Sequence, residues 1–131
     1  MQNDECKMQN EIDFTNNPAV DKSFEFAVRI VNAYKFLVKK QQEYTLSKQL
    51  LRCGTSIGAY VMEAQRGQSR ADFYAKMSIA LKEAHETYYW LKLLYRTEYL
   101  SENQYISLNN DALELIGIHT AICKTTQKRN I

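Results

Sequence analysis

Apolar residues recur along most of this chain at alternating steps of three and four, the spacing that gathers side chains on one face of a helix. Phe24, Ala27, Val31, Tyr34 and Val38 make a first row, and Leu46, Leu50, Cys53, Ile57, Tyr60 and Ala64 a second. A third runs through Tyr74, Met77, Leu81, Ala84, Tyr88, Leu91 and Tyr95, and a fourth through Tyr105, Leu108, Ala112, Leu115, His119 and Ile122. Residues 1–18 carry no such period and read as a polar arm that ends in a turn at Asn16-Asn17-Pro18.

Local signals punctuate the rows. Asp21 or Ser23 is placed to cap the first helix, and Thr45 opens the second, which Gly67 closes as a left-handed cap. Ser69 with Asp72 starts a third helix that runs to about Thr97, and Ser101 with Gln104 starts the fourth. Gly54 and Gly58 lie four apart inside the second helix, each costing about 1 kcal/mol relative to Ala, and predict a close backbone approach there. The reading is a flexible arm over 1–19 and one all-α domain over 20–128. Short connections make it an antiparallel bundle, up-down-up-down.

The third helix bears another row, Ile79, Glu83, Glu86, Trp90 and Leu94, on roughly the opposite side from the first. Two rows predict two partners, one within the bundle and one outside it, so Ile79, Trp90 and Leu94 are candidate contacts between copies. Glu63, Glu83 and Glu86 fall beside apolar rows, where an unpartnered carboxylate is costly. Arg52, Ser56, Arg66 and Lys82 are the groups that could answer them, giving a structural polar network across the helix 2 and helix 3 contact.

Composition adds one Pro, four Gly and 45% apolar residues, which suits helices and a single core. No apolar leader and no run of roughly 18 apolar residues is present, so the expectation is a cytoplasmic protein without a membrane role. Cys6, Cys53 and Cys123 have neither disulfide nor zinc-ligand spacing. Catalytic chemistry finds no support: no Glu precedes a His by three, as a di-metal carboxylate bundle requires, and His85 and His119 have no companion nucleophile or ligand. No phosphate loop is present, so no cofactor or metal is expected.

With 17 basic and 15 acidic residues, net charge says little about partners. Topology says more. The start of helix 1, the turn between helices 2 and 3 and the end of helix 4 share one end of the bundle, collecting Lys22, Arg66, Arg70, Lys124, Lys128 and Arg129. Asp21, Glu63 and Asp72 dilute this cluster, which is a candidate phosphate-binding surface or ordinary solvated charge. Tyr88, Tyr89, Trp90, Tyr95 and Tyr99 read either as a base-stacking platform or, more simply, as core and subunit contacts.

The stretches VDKSFEFAVRIVNAYKFL, SKQLLRCGTSIGAYVMEAQRG and DFYAKMSIALKEAHETYYWLKLLYRTEYL resemble the four-helix bundle family named after proteins encoded in intervening sequences of bacterial large-subunit ribosomal RNA genes. Arg52 with Thr55-Ser56-Ile57, Glu63-Ala64, Lys82-Glu83-Ala84, Glu86-Thr87 and Tyr89-Trp90-Leu91 carry the resemblance most specifically. The accessory variability protein of diversity-generating retroelements belongs to the same wider group. The resemblance implies a ring-like homopentamer without catalysis that binds RNA or DNA, with a reverse transcriptase as partner in the retroelement branch. Tyr60 and Cys53 depart from the Asn and the small polar or basic residue common in that family. A protein-interaction scaffold with no nucleic-acid role is the alternative.

Overall fold

The computed structural model describes residues 17–129, with side chains described through Gln127. The arm and Cys6 expected from the sequence therefore lie outside the described residues, up to Asn16.

Asn17 opens the bundle. Its side chain accepts from the amide of Val20, and Pro18 follows at the first helical position, where its missing N–H is no loss. The first helix, α1, thus spans Pro18–Lys39 and begins ahead of the expected caps. Asp21 instead sits in the first turn, and the Ser23 hydroxyl is buried and donates to the carbonyl of Val20. Where a turn was expected at Asn16-Asn17-Pro18, the described Asn17 and Pro18 are a helix start, because Pro after Asn suits either role and the neighbouring contacts decide.

Helix α2 spans Leu46–Gln65, α3 Arg70–Arg96 and α4 Glu102–Arg129. Thr45 stands at the α2 N-cap position but its side chain makes no capping bond. The carboxylate of Glu43 does that work, accepting from the amides of Thr45 (3.1 Å), Leu46 (2.9 Å) and Ser47 (2.6 Å). At the α2–α3 turn Ser69 accepts from the Asp72 amide as expected, while the Asp72 carboxylate accepts from the amide of Gln68, one residue before the cap residue that a capping box would use. Gly67 does not take up a left-handed conformation, since no glycine has positive φ; α2 ends through amide bonds from Arg66 to Glu63 and from Gly67 to Ala64. The left-handed position belongs to Glu98 after α3, where the Tyr99 amide reaches back to the carbonyl of Leu94 and that of Glu98 to Tyr95. Ser101 and Gln104 exchange amide bonds to open α4, as their spacing predicts.

Neighbouring helices run antiparallel. Ser23 faces Gly58 and Ile30 faces Gly54; Arg52 pairs with Glu83 and Glu63 with Lys76; Tyr95 stacks on Tyr105 at 4.6 Å while Ser78 meets Cys123. The close approach expected from Gly54 and Gly58 is therefore the α1–α2 contact. A Cβ on Gly54 would lie 2.7 Å from Ile30, and one on Gly58 would lie 3.3 Å from the Ser23 carbonyl oxygen.

The core is built from Phe26, Ile30 and Leu37 of α1, Leu50, Ile57 and Val61 of α2, Met77, Leu91 and Leu94 of α3, and Leu108 and Leu115 of α4. Burial of each such side chain contributes roughly 1.5–3 kcal/mol. On α1 this corrects the sequence reading: the row starting at Phe24 is a second apolar row, and the one holding Phe26, Ile30 and Leu37 faces inward. Two rows of equal period lie side by side on that helix, and periodicity alone does not choose between them. Helices α1 and α4 pack less closely than the other three neighbouring pairs. Polar links cross that seam, Lys22 to Glu114 at 2.7 Å and Arg29 to Asp111 at 2.6 Å and to the Ser107 hydroxyl at 2.7 Å.

Candidate nucleic-acid interface

The polar network expected between α2 and α3 exists in part. The Arg52 guanidinium binds the carboxylates of both Glu83 and Glu86, and the Trp90 indole N–H donates to Glu86 at 3.1 Å. Partial burial opposes the charge on Arg52, but the two carboxylates outweigh it and raise its pKa above the ordinary arginine value. Glu83 is nearly buried, so this arginine is what makes its charge tolerable. Ser56 lies outside the network, its hydroxyl donating to the Arg52 carbonyl, and Glu63 pairs separately with Lys76 at 3.3 Å. Neither Arg66 nor Lys82 answers these carboxylates among the described pairs; Lys76, nearly two turns into α3, is the partner of Glu63 that the sequence pattern did not point to.

Of the six residues expected at the basic end, Lys22 and three others, from three further elements, are exposed. Arg66 in the α2–α3 turn, Arg70 at the start of α3 and Lys124 near the end of α4 are all exposed. Arg70 also lines a small cleft with Phe73, Thr125 and Thr126. Lys22 is occupied by Glu114 across the α1–α4 seam, which raises its pKa through the hydrogen bond and the charge of that carboxylate. The side chains of Lys128 and Arg129 lie outside the described ones.

The outer face proposed for α3 needs correction. Leu94 is fully buried and belongs to the core of this one chain, so it is not available to another copy. Trp90 packs partly against that core, and Ile79 is half-buried. Helix α3 packs against both α2 and α4. Apart from Tyr89, the exposed large apolar side chains stand off α3. A groove of about 600 Å³ runs outside the α1–α2 contact, lined mainly by apolar groups of Phe24, Ala27, Ala59 and Met62 together with Asp21 and Glu25, with Phe24 63% exposed and Met62 45%. Ile106 and Leu113 stand exposed on α4.

A basic row on α3 also escaped the sequence reading. Lys82, His85, Tyr89, Lys92 and Arg96 are all exposed and follow steps of three and four. Of the five aromatic rings weighed as a stacking platform, Tyr89 alone is exposed; Tyr88, Trp90, Tyr95 and Tyr99 are half-buried. The signal was present as the same heptad spacing in cations, which the apolar rows overshadowed.

No cluster of three or more His, Cys, Asp or Glu placed to hold a metal occurs among the described residues. His119 is buried, its Nδ1 bonded to the Leu115 carbonyl at 2.8 Å, while His85 is exposed. Burial pushes the Cys53 thiol up to about 11, so it stays protonated and unreactive at neutral pH. No described helix is long and apolar enough to cross a membrane.

The sequence profile of the 23S rRNA-intervening sequence protein family matches residues 15–121. The chain belongs to that family. A solved structure of a protein of unknown function from the S23 ribosomal protein family of Bacteroides thetaiotaomicron is 60% identical, covering 81% of this chain and 98% of the other with a TM-score of 0.80. No curated protein matches the chain. In this 23S rRNA-intervening sequence family member, many of the residues that carried the resemblance are buried or belong to the α2–α3 polar network, while Lys82 and Tyr89 among them stand exposed on α3. Ile57, Ala64, Ala84, Thr87 and Leu91 are buried, and Arg52, Glu83, Glu86 and Trp90 form the network.

Proposed function

We propose that this protein is a non-catalytic, cytoplasmic homo-oligomer, a pentamer as the family resemblance implies, that binds structured RNA or other nucleic acid through phosphate contacts. The observation that carries the reading is the convergence of exposed Arg66, Arg70 and Lys124 from three elements on one end of the bundle. Assembly multiplies that end and with it the number of phosphates held. What supports assembly is the groove outside α1–α2, where Phe24 and Met62 face water, together with exposed Ile106 and Leu113 on α4. The occupant proposed for the groove is a second copy of this chain, which brings apolar surface of its own.

Phosphate binding releases counterions, so affinity for an RNA hairpin should fall steeply with salt, by about 0.7–0.9 in log–log slope per phosphate contact. The Arg66→Ala, Arg70→Ala double variant should weaken binding at low salt about tenfold and lower the slope by roughly 1.5. A flat salt dependence, or an unchanged double variant, would reject this surface.

A further inference from the structure

We infer that the outward face of α3 is a second nucleic-acid contact, built for a single strand: Lys82, Lys92 and Arg96 hold backbone phosphates and Tyr89 stacks a base between them. This rests on the nucleic-acid reading above and adds a site and a strand preference to it.

The row Lys82, His85, Tyr89, Lys92, Arg96 and the buried row Met77, Ala80, Ala84, Thr87, Leu91, Leu94 have the same spacing on roughly opposite sides of one helix. Three permanent cations and one imidazole stand along about 21 Å of rise, from fourteen steps of about 1.5 Å. No acidic residue interrupts the row. Glu83 and Glu86, its neighbours in sequence, are turned toward Arg52, and no carboxylate forms an ion pair with Lys82, Lys92 or Arg96 among the described residues.

Tyr89 is 57% exposed, in a row otherwise made of three cations and an imidazole. It stands edge-to-face with Trp90, ring centroids 5.0 Å apart at 80°, and Trp90 is fixed in turn by its bond to Glu86. The ring is therefore braced from beneath by the Arg52 network, so little freedom is lost when a base stacks on it. Stacking needs an unpaired base, because a duplex keeps its faces covered. Cations flanking one ring along a straight helix suit a strand that runs past with its bases splayed. An anionic membrane is the poorer match, since an interfacial helix inserts several large apolar residues and this row offers one tyrosine.

The test is fluorescence anisotropy with the full chain, using a single-stranded oligouridylate of about 12 nucleotides, within the usual site sizes, and an RNA duplex of equal length. Tyr89→Ala should weaken the single strand about tenfold and leave the duplex unchanged, while Tyr89→Phe keeps wild-type affinity. A Lys82→Gln, Lys92→Gln, Arg96→Gln variant should lower the single-strand salt slope by about 2. Circular dichroism checks that each variant keeps its helices. Unchanged single-strand binding in Tyr89→Ala, equal losses on both probes, or α3 variants that bind phosphatidylserine vesicles less well but RNA equally would overturn the inference. If the α3 variants lose binding and the Arg66, Arg70 double variant does not, the end surface fails and this one stands; the reverse result sinks this one alone. A wild-type protein that binds neither probe sinks both.

Discussion

Glu43 closes the run Lys39-Lys40-Gln41-Gln42, which looks in sequence like a plain solvated loop. In the fold it is nearly buried and accepts three amides at the start of α2. Burial alone would raise its carboxyl, but the amides of Leu46, Ser47 and Thr45 outweigh that and hold it below the usual range. Glu43→Gln should therefore cost about 1–2 kcal/mol in urea unfolding. The cap was illegible because its side chain reaches forward from outside the usual capping position, a path set by the loop and by Gln42 in the left-handed region. His119 offers a second titration. Burial lowers its pKa and its Nε2 has no partner among the described residues, so the folded chain holds it neutral. The unfolded chain takes up that proton first, near pH 6.5. Stability from this residue is full above that pH and is lost as pH falls toward the lower folded value. His119→Leu should flatten that part of the stability–pH curve; an unaltered slope would exclude His119 as its source.

At the scale of elements, two of the helical glycines make opposite predictions. Gly54→Ala gains about 1 kcal/mol of helix propensity but drives a methyl into the buried branches of Ile30, an overpacking cost of about 1–3 kcal/mol. The net should be a loss. Gly117→Ala meets nothing within 4 Å and should stabilise by up to about 1 kcal/mol, both changes read as shifts in Tm. Helix number, order and most ends were legible, because the three-and-four spacing and the caps at Ser69 and Ser101 are local signals. The face of α1 was not, since the Phe24 row and the Phe26 row differ by one position and only packing against Gly54 and Gly58 decides between them. For α3 the second apolar row was legible, but not that its Leu94 belongs to the core of this bundle, which depends on how α2 and α4 both pack on that helix.

Across the whole molecule, the basic end was legible from topology alone, because antiparallel order fixes which turns meet. The pairing of Lys22 was hidden, since it depends on Glu114 of a helix remote in sequence. Moving the uncovered apolar surface from α3 to the α1–α2 groove moves the expected contact between copies with it. Trp90→Ala should accordingly weaken the fold by loosening the Arg52 network and leave association unchanged, checked by thermal unfolding beside light scattering. A change at the groove should do the opposite, so Phe24→Asp with Met62→Glu is the informative pair. Sedimentation equilibrium at micromolar concentration tests the central claim most directly. The account predicts a wild-type chain of several subunits and a double variant that sediments as one subunit with its helicity intact. A wild-type chain that sediments as a single stable subunit would contradict it.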